Sequence, residues 1–481
     1  MGNSEEPSAV PLVSADPTRT NFVSPPDQEA IRASVQRKAS LRLLPVIGIG
    51  YCLAYMDRVN ISFASLQMNM DLHFSATVYG LGAGLFFVGY AVCEVPSNLL
   101  LLRFGAKRWL ARIMFTWGLL AAALMFVRTP LQFNVLRFLL GMAEAGFFPG
   151  VIYYLTLWFP AQTRGRAVSR FYIALPLGST VMGILAGWLM GLNGTLGLRG
   201  WQWLFLLEGI PSVLFSLVIL WFLPDGPEKV TWLTADERSW LQRTLREEGT
   251  HAHLGHNAGA LKAVLSPNVW LIGLFFFCAL TCNYGYSFSA PAILQGATGW
   301  SVSVVGYVVA GLGLAGATGM LLNAAHSDRN GERAMHVIIP CVLMGASYFV
   351  AGIVRQPWLL VGSLGIGFVA YNARQGPALA VPTQFLAGRA AAAGIAMMNT
   401  ISILAGLVGP YWMGVMRDAT GDYRAGLRGL LLPSLGAGAV MFALLSRLAR
   451  TGDIIGLGSG PPLAVGTEIV VEPDTGREIE L

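Results

Sequence analysis

Long apolar runs separated by short polar turns fill most of the chain, and that pattern predicts helices. A helix needs about 20 mostly apolar residues to cross ~30 Å of hydrocarbon. Twelve segments meet that length, at 42–63, 78–102, 109–128, 131–156, 167–193, 201–223, 268–294, 302–323, 334–354, 357–386, 390–416 and 429–447. Those at 357–386 and 390–416 are long and broken by glycine. Six spans, a polar stretch and six more spans predict an all-α protein of two halves. The expected organisation is an N-terminal tail (1–40), a six-helix half (41–223), a central loop (224–266), a second six-helix half (267–450) and a C-terminal tail (451–481). Inside the loop, Ala235 to Glu248 is expected to form an amphipathic surface helix.

Composition turns these helices into membrane spans. Of 481 residues, 54% are apolar and 12% charged, against about 25% charged in soluble domains. So few charges cannot cover the surface of a soluble enzyme, and so many apolar residues exclude a disordered chain. The net charge is +6, but the cations gather between apolar runs, which points to membrane orientation and not to nucleic acid. With the N-terminus inside, about 21 Lys and Arg fall on the cytoplasmic side and about six on the other. Both termini are therefore expected in the cytoplasm, although Arg417, Arg424 and Arg428 break the pattern locally. Residues 1–40 have no apolar core, so no cleavable signal is expected and the first span would direct insertion. The five cysteines all lie in apolar segments and read as buried free thiols.

The halves carry an internal match. Arg103-Phe-Gly105-Ala-Lys107 follows the second span, and Arg329-Asn-Gly331-Glu-Arg333 follows the eighth, with each matched position 226 residues apart (103 to 329, 105 to 331, 107 to 333). A glycine turn flanked by cations at one place in each half is what a duplicated six-helix unit predicts. Further motifs are Tyr55-Met-Asp57-Arg58-Val59-Asn60-Ile61, Glu94-Val-Pro96-Ser97-Asn98, Arg137-Phe-Leu-Leu-Gly141-Met-Ala-Glu144-Ala-Gly146, Trp203-Leu-Phe-Leu-Leu-Glu208-Gly209-Ile-Pro211 and Ala391-Ala-Ala-Gly394-Ile-Ala. On these motifs the chain resembles the major facilitator superfamily and, within it, the anion:cation symporter family, over about residues 40–450. One departure is Leu102, where the superfamily's loop motif has an acid; the second copy keeps its acid as Asp328.

The resemblance implies alternating access and proton-driven uptake of an organic anion: a sugar acid, a tartrate-like dicarboxylate or an aromatic carboxylate. It implies substrate and proton roles for Arg58 and Glu144. It also implies gate contacts among Arg103, Lys107, Arg108, Asp328, Arg329 and Arg333 when the cavity opens outward. Expected partners are the small anion, a coupling proton and the lipid bilayer of the cell's inner membrane. No nucleic acid, metal or cofactor is expected, nor any enzymatic activity, and the chain is expected to act as a monomer. Two alternatives share the fold: an exporter of organic anions or drugs, and a membrane sensor without net flux.

The residues support the same picture independently. A charge inside a span costs at least about 2.5–3.5 kcal/mol on insertion scales, so it persists where it is paired or faces water. The first half holds Asp57, Arg58, Glu94, Arg137, Glu144 and Glu208; in the second, only Arg374 lies deep. Coupling chemistry is thus expected mainly in the first half. Arg137 and Glu144, seven residues apart, share a helix face. If the first and fourth spans line one cavity, Arg58, Arg137 and Glu144 can converge, the guanidinium groups gripping a carboxylate and Glu144 carrying a proton. A static salt-bridge lattice would use the same residues. Asp57, turned about 100° from Arg58, reads as a second proton site or a structural partner. Glu94 reads as a hinge or an ion-pair partner of the following loop, and Glu208 as structural.

In the second half, the 226-residue offset places Tyr284 opposite Arg58 and Asn283 opposite Asp57. Both suit hydrogen bonding to a substrate, although an interfacial aromatic would look the same. Asn372, Arg374 and Gln375 form a polar cluster in the tenth span. Arg374 would make room for a dianion if it faces the cavity; otherwise it snorkels or pairs. Asn399 and Thr400 could add polar contacts. Gly311-Leu-Gly313-Leu-Ala-Gly316 imitates a dinucleotide fingerprint, but with no strand before it, it reads as close helix packing. The tract His251-Ala-His253-Leu-Gly-His256 lacks acidic or thiolate helpers for a metal. No Walker sequence is present to drive an ATP pump.

Overall fold

A computed structural model describes residues 25–253, 264–385 and 388–451. Among them eleven helices are long and apolar enough to cross a membrane. The elements are α1 (Pro25–Asp71), α2 (Ala76–Phe104), α3 (Ala106–Ala123), α4 (Pro130–Glu144), α5 (Phe147–Thr156), α6 (Ala161–Tyr172), α7 (Ala174–Gly191), α8 (Gly200–Phe222) and α9 (Ala235–His253). After the loop come α10 (Pro267–Thr298), α11 (Val302–Asn330), α12 (Ala334–Ala351), α13 (Pro357–Ala373), α14 (Gln375–Ala380), α15 (Pro382–Phe385), α16 (Gly388–Ile403), α17 (Ala405–Thr420), α18 (Arg424–Gly429) and α19 (Leu431–Thr451).

Several expected spans are broken helices. The tenth is not continuous: α13 stops at Arg374 and two short helices follow, which is why it falls below the length of the eleven. The fourth breaks at Gly146, whose φ of 87° lies in the left-handed region and where a Cβ would run into the Ser97 side chain. Glycine is therefore required there on two counts. The break makes Glu144 the last residue of α4.

The first helix corrects an expectation. Residues 25–40 are not a polar tail but the start of α1, which runs 47 residues, about 70 Å at 1.5 Å per residue. Its extension is held by α9. Lys38 Nζ and Ser34 Oγ donate to the Glu237 carboxylate at 2.8 and 2.7 Å. The Arg42 guanidinium lies 5.1 Å from the Trp232 ring, which stacks on Trp158 at 5.4 Å. Burial pushes the Glu237 carboxyl up, but bonds from Lys38, Ser34 and the Thr234 backbone outweigh it and hold the carboxyl below the usual glutamate range. The amphipathic stretch expected in the central loop is thus a cap docked on the first half.

The halves approach most closely at one end of the bundle. Cβ atoms on Gly80, Gly84 and Gly414 of α2 and α17 would strike the opposite backbone, and so would one on Gly306 of α11 against Gly183 of α7. Such close approach needs glycine. Tyr79 Oη donates to Phe288 O at 2.7 Å, and the Asp418 carboxylate accepts the Ala76 and Thr77 amides at 3.0 and 2.8 Å. This is the end where α1 finishes, since Trp201 Nε1 of α8 donates to Asp71 there. Toward the other end α2 packs along α17 but scarcely touches α16. The bundle is therefore closed at one end and open at the other, where the α9 cap sits.

Candidate solute-binding site

Along α1, Tyr55, Arg58 and Ser62 recur at three- and four-residue spacing and share one stripe. That stripe faces α10, α11 and α13 across the closed end of the cavity, which is lined by Tyr55, Val59, Ser62, Tyr286 and Phe368 among others. Arg58 Nε donates to Glu144 Oε1 at 2.7 Å, and its Nη2 lies 2.5 Å from the same oxygen. The guanidinium also lies 5.3 Å from the Tyr90 ring. Arg58 keeps 18% of its side chain exposed, while Glu144 keeps 1%. Glu144 Oε2 has no hydrogen-bond partner. A partly exposed cation thus covers a buried acid with one free oxygen, one helical turn from the cavity-lining Tyr55 and Ser62.

The other expected residues divide. Tyr284 lies within electrostatic reach of Arg58, packed 4.5 Å from the Phe87 ring. Asn283 accepts from Ser287 Oγ at 3.3 Å, and Asn372 donates its amide to Phe368 O at 2.8 Å. Gln375 bridges Tyr371 Oη and Arg374 Nη1 at 3.2 and 3.4 Å. Asn399 donates to Glu94 Oε1 at 3.0 Å across the two halves. Glu94 is therefore an inter-half contact, not an ion-pair partner of its own loop.

Two expected cationic contacts do not reach the cavity. Arg137 is fully buried, with Nε 3.4 Å from Gly82 O and its guanidinium 4.8 Å from the Phe86 ring. It shares a helix with Glu144, but α2 lies over it. Arg374 is also fully buried, 4.5 Å from the Tyr371 ring and 5.3 Å from that of Phe275. Each has two guanidinium nitrogens without a partner. Asp57 points away from the cavity: Asn60 Nδ2 donates to Asp57 at 3.2 Å and to Glu208 at 2.5 Å, and both acids are buried.

The loop cations sit at the open end. Arg103, Arg108, Asp328 and Arg329 are exposed, and Lys107 and Arg333 partly so. Arg333 pairs with Asp328 at 3.5 Å inside its own half. Sequence reasoning did not single out Tyr90 or Asn60, because an aromatic or an amide within a span carries no signal of its own. No group of three metal-ligating side chains gathers among the described residues. The side chains of the histidine tract at 251–256 lie outside the described residues.

The family profile described as Major Facilitator Superfamily matches residues 47–410. A protein of Agrobacterium vitis named "Putative tartrate transporter" is 42% identical over 424 residues, 87% of this chain and 92% of that one. A Pseudomonas putida protein named "Putative metabolite transport protein NicT" is 43% identical over 395 residues, 81% of this chain and 90% of that one. Among solved structures, a bacterial homologue of the human lysosomal transporter Spinster, in an inward-facing conformation, superposes with a TM-score of 0.71 at 17% identity, covering 91% of this chain and all (100%) of that one.

Proposed function

The chain belongs to the Major Facilitator Superfamily, as a multi-pass inner-membrane transporter and not an enzyme, and from that premise we propose that it takes up an organic carboxylate together with a proton. The single observation that carries this reading is the Arg58–Glu144 pair at 2.5 Å, one partner partly exposed and the other buried. A solute carboxylate competes with Glu144 for the guanidinium, and the forked geometry of arginine favours the exchange. Once the guanidinium turns to the solute, Glu144 is a buried charge that has lost its hydrogen-bonded partner, and taking up a proton relieves it. Charge balance supports the coupling. The pair is neutral alone, and it is neutral again with one carboxylate and one proton added.

Orientation and cycle complete the reading. The excess of Lys and Arg on the side of the termini puts the open end, with its α9 cap, in the cytoplasm. Rocking the halves would close that end and bring Arg103, Lys107 and Arg108 against Asp328, Arg329 and Arg333. The test is Glu144→Gln in proteoliposomes loaded with the carboxylate. Uphill accumulation driven by a pH gradient should be lost, while counterflow exchange of solute for solute persists. Accumulation that survives the substitution refutes the coupling.

A further inference from the structure

The geometry points to a substrate with one carboxylate on an apolar, ring-bearing body, in preference to a hydroxylated dicarboxylate. This inference rests on the carboxylate reading above and narrows it. Three arginines lie at mid-depth, but only Arg58 keeps part of its side chain exposed, one helical turn from the lining residues Tyr55 and Ser62; Arg137 and Arg374 are fully buried. One accessible guanidinium and one acid balance one negative charge per proton. A second carboxylate would enter an apolar membrane site with neither a cation nor a proton to neutralise it.

The wall beyond Arg58 gives the body. The closed end of the cavity is built mainly from Tyr55, Val59, Phe63, Tyr286, Leu312 and Phe368, with three serines among them. The Tyr286 and Phe368 rings are 5.7 Å apart and tilted, and rings packed this way accept a further ring edge-on or offset. Two of the lining hydroxyls have their protons committed. Ser62 Oγ donates to Val59 O at 2.6 Å, and Ser287 Oγ donates to Asn283 Oδ1 at 3.3 Å. The nearby amides of Asn372, Gln375 and Asn399 are bonded within the protein as well. A polyhydroxylated body would give up more hydration than this largely aromatic and aliphatic wall returns, whereas an apolar ring loses nothing on leaving water. The 42% identical relative whose name refers to tartrate would on this reading differ in cargo.

The experiment is calorimetric binding to the purified full chain at fixed pH, with benzoate, phthalate and tartrate as probes. Benzoate isolates the ring with one charge, phthalate adds the second charge to the ring, and tartrate keeps two charges without a ring. Benzoate should bind at least roughly tenfold more tightly than either of the others, and Arg58→Ala should remove that binding. Val59→Thr, which keeps side-chain shape and adds a hydroxyl beside Arg58, should weaken benzoate by about tenfold without weakening tartrate. Tighter binding of tartrate or phthalate than of benzoate, dependent on Arg58, overturns this inference and leaves the carboxylate reading standing. If none of the three anions binds in an Arg58-dependent way, the carboxylate reading falls too.

Discussion

The two halves share an architecture and divide the chemistry. The first half holds Asp57, Arg58, Arg137, Glu144 and Glu208 inside its spans; the second holds Arg374 at depth and meets the cavity with Tyr286, Ser287, Leu312 and Phe368. Each half also buries one arginine with two unfilled nitrogens, Arg137 over Phe86 and Arg374 over Tyr371. A buried arginine is therefore not by itself a mark of substrate binding in this fold. What separates Arg58 from the other two is an acid within 2.5 Å and a side chain that is not fully buried. The first half is the chemical half, and the second supplies shape.

The strongest way to break this division is to remove one arginine from each half. Arg58→Ala should weaken carboxylate binding by roughly 100-fold, because it deletes the solute's charge partner and strands the Glu144 carboxylate. Arg374→Met, of similar length, should leave that binding within about twofold. It should hold or raise thermal stability, since replacing a buried charge that has no counter-charge by an apolar side chain is often neutral or stabilising. Calorimetric titration of both variants decides the matter. Equal losses would mean that Arg374 reaches the solute in a conformation other than this one.

Glycine substitutions test the boundary between the halves with a smaller expected effect. A Cβ on Gly306 would press on the Gly183 backbone of the other half, while one on Gly118 would meet Gly209 O at 2.8 Å within the first half. Gly306→Ala should therefore loosen the closed end and shift the population toward the opposite opening. Spin labels at the exposed Met70 and at Asp422, one in each half near that end, should report longer distances. Gly118→Ala should lower the melting temperature without lengthening them. If both variants behave alike, the Gly183–Gly306 approach is ordinary packing and not a seal.

The same contrast explains what could be read in the chain beforehand. Apolar runs gave the spans, and charges within them are few enough that Arg58 and Glu144 stood out. Helical periodicity fixes only the angle between residues on one helix, not which neighbour covers them. It correctly turned Asp57 away from Arg58, but it could not foresee that α2 would cover Arg137 or that Arg374 would sit behind Tyr371 and Gln375. The start of α1 was missed for a related reason. Residues 25–40 are helical in company with α9, and the bonds that hold them there join positions 199 and 203 residues apart. The breaks at Gly146 and Arg374 left no pattern beyond glycine-rich, apolar sequence.

That docked cap is an asymmetry of its own, since its anchoring bonds join it to the first half, and it gives the mildest prediction. Its anchor, Glu237, is almost fully covered and bonded to Lys38, Ser34 and the Thr234 backbone. Its carboxyl is held below the usual glutamate range in the docked state. The sign follows from linkage: the docked state binds its proton less readily than the undocked one. The anchor's contribution is therefore complete above the ordinary glutamate value of about 4.3 and fades as pH falls through the lowered one. Lys38→Met removes the main cation at every pH. An ion pair of this kind contributes about 1 kcal/mol, or roughly a fivefold change in the opening equilibrium. Amide hydrogen exchange over Ala235–Glu248, corrected for the intrinsic effect of pH, should thus be slow near neutrality and faster in acid for the unaltered chain. In Lys38→Met it should already be faster near neutrality and rise less in acid. Exchange as slow in Lys38→Met as in the unaltered chain would mean that the Trp158–Trp232 stack and the Arg42 contact hold the cap without the ion pair.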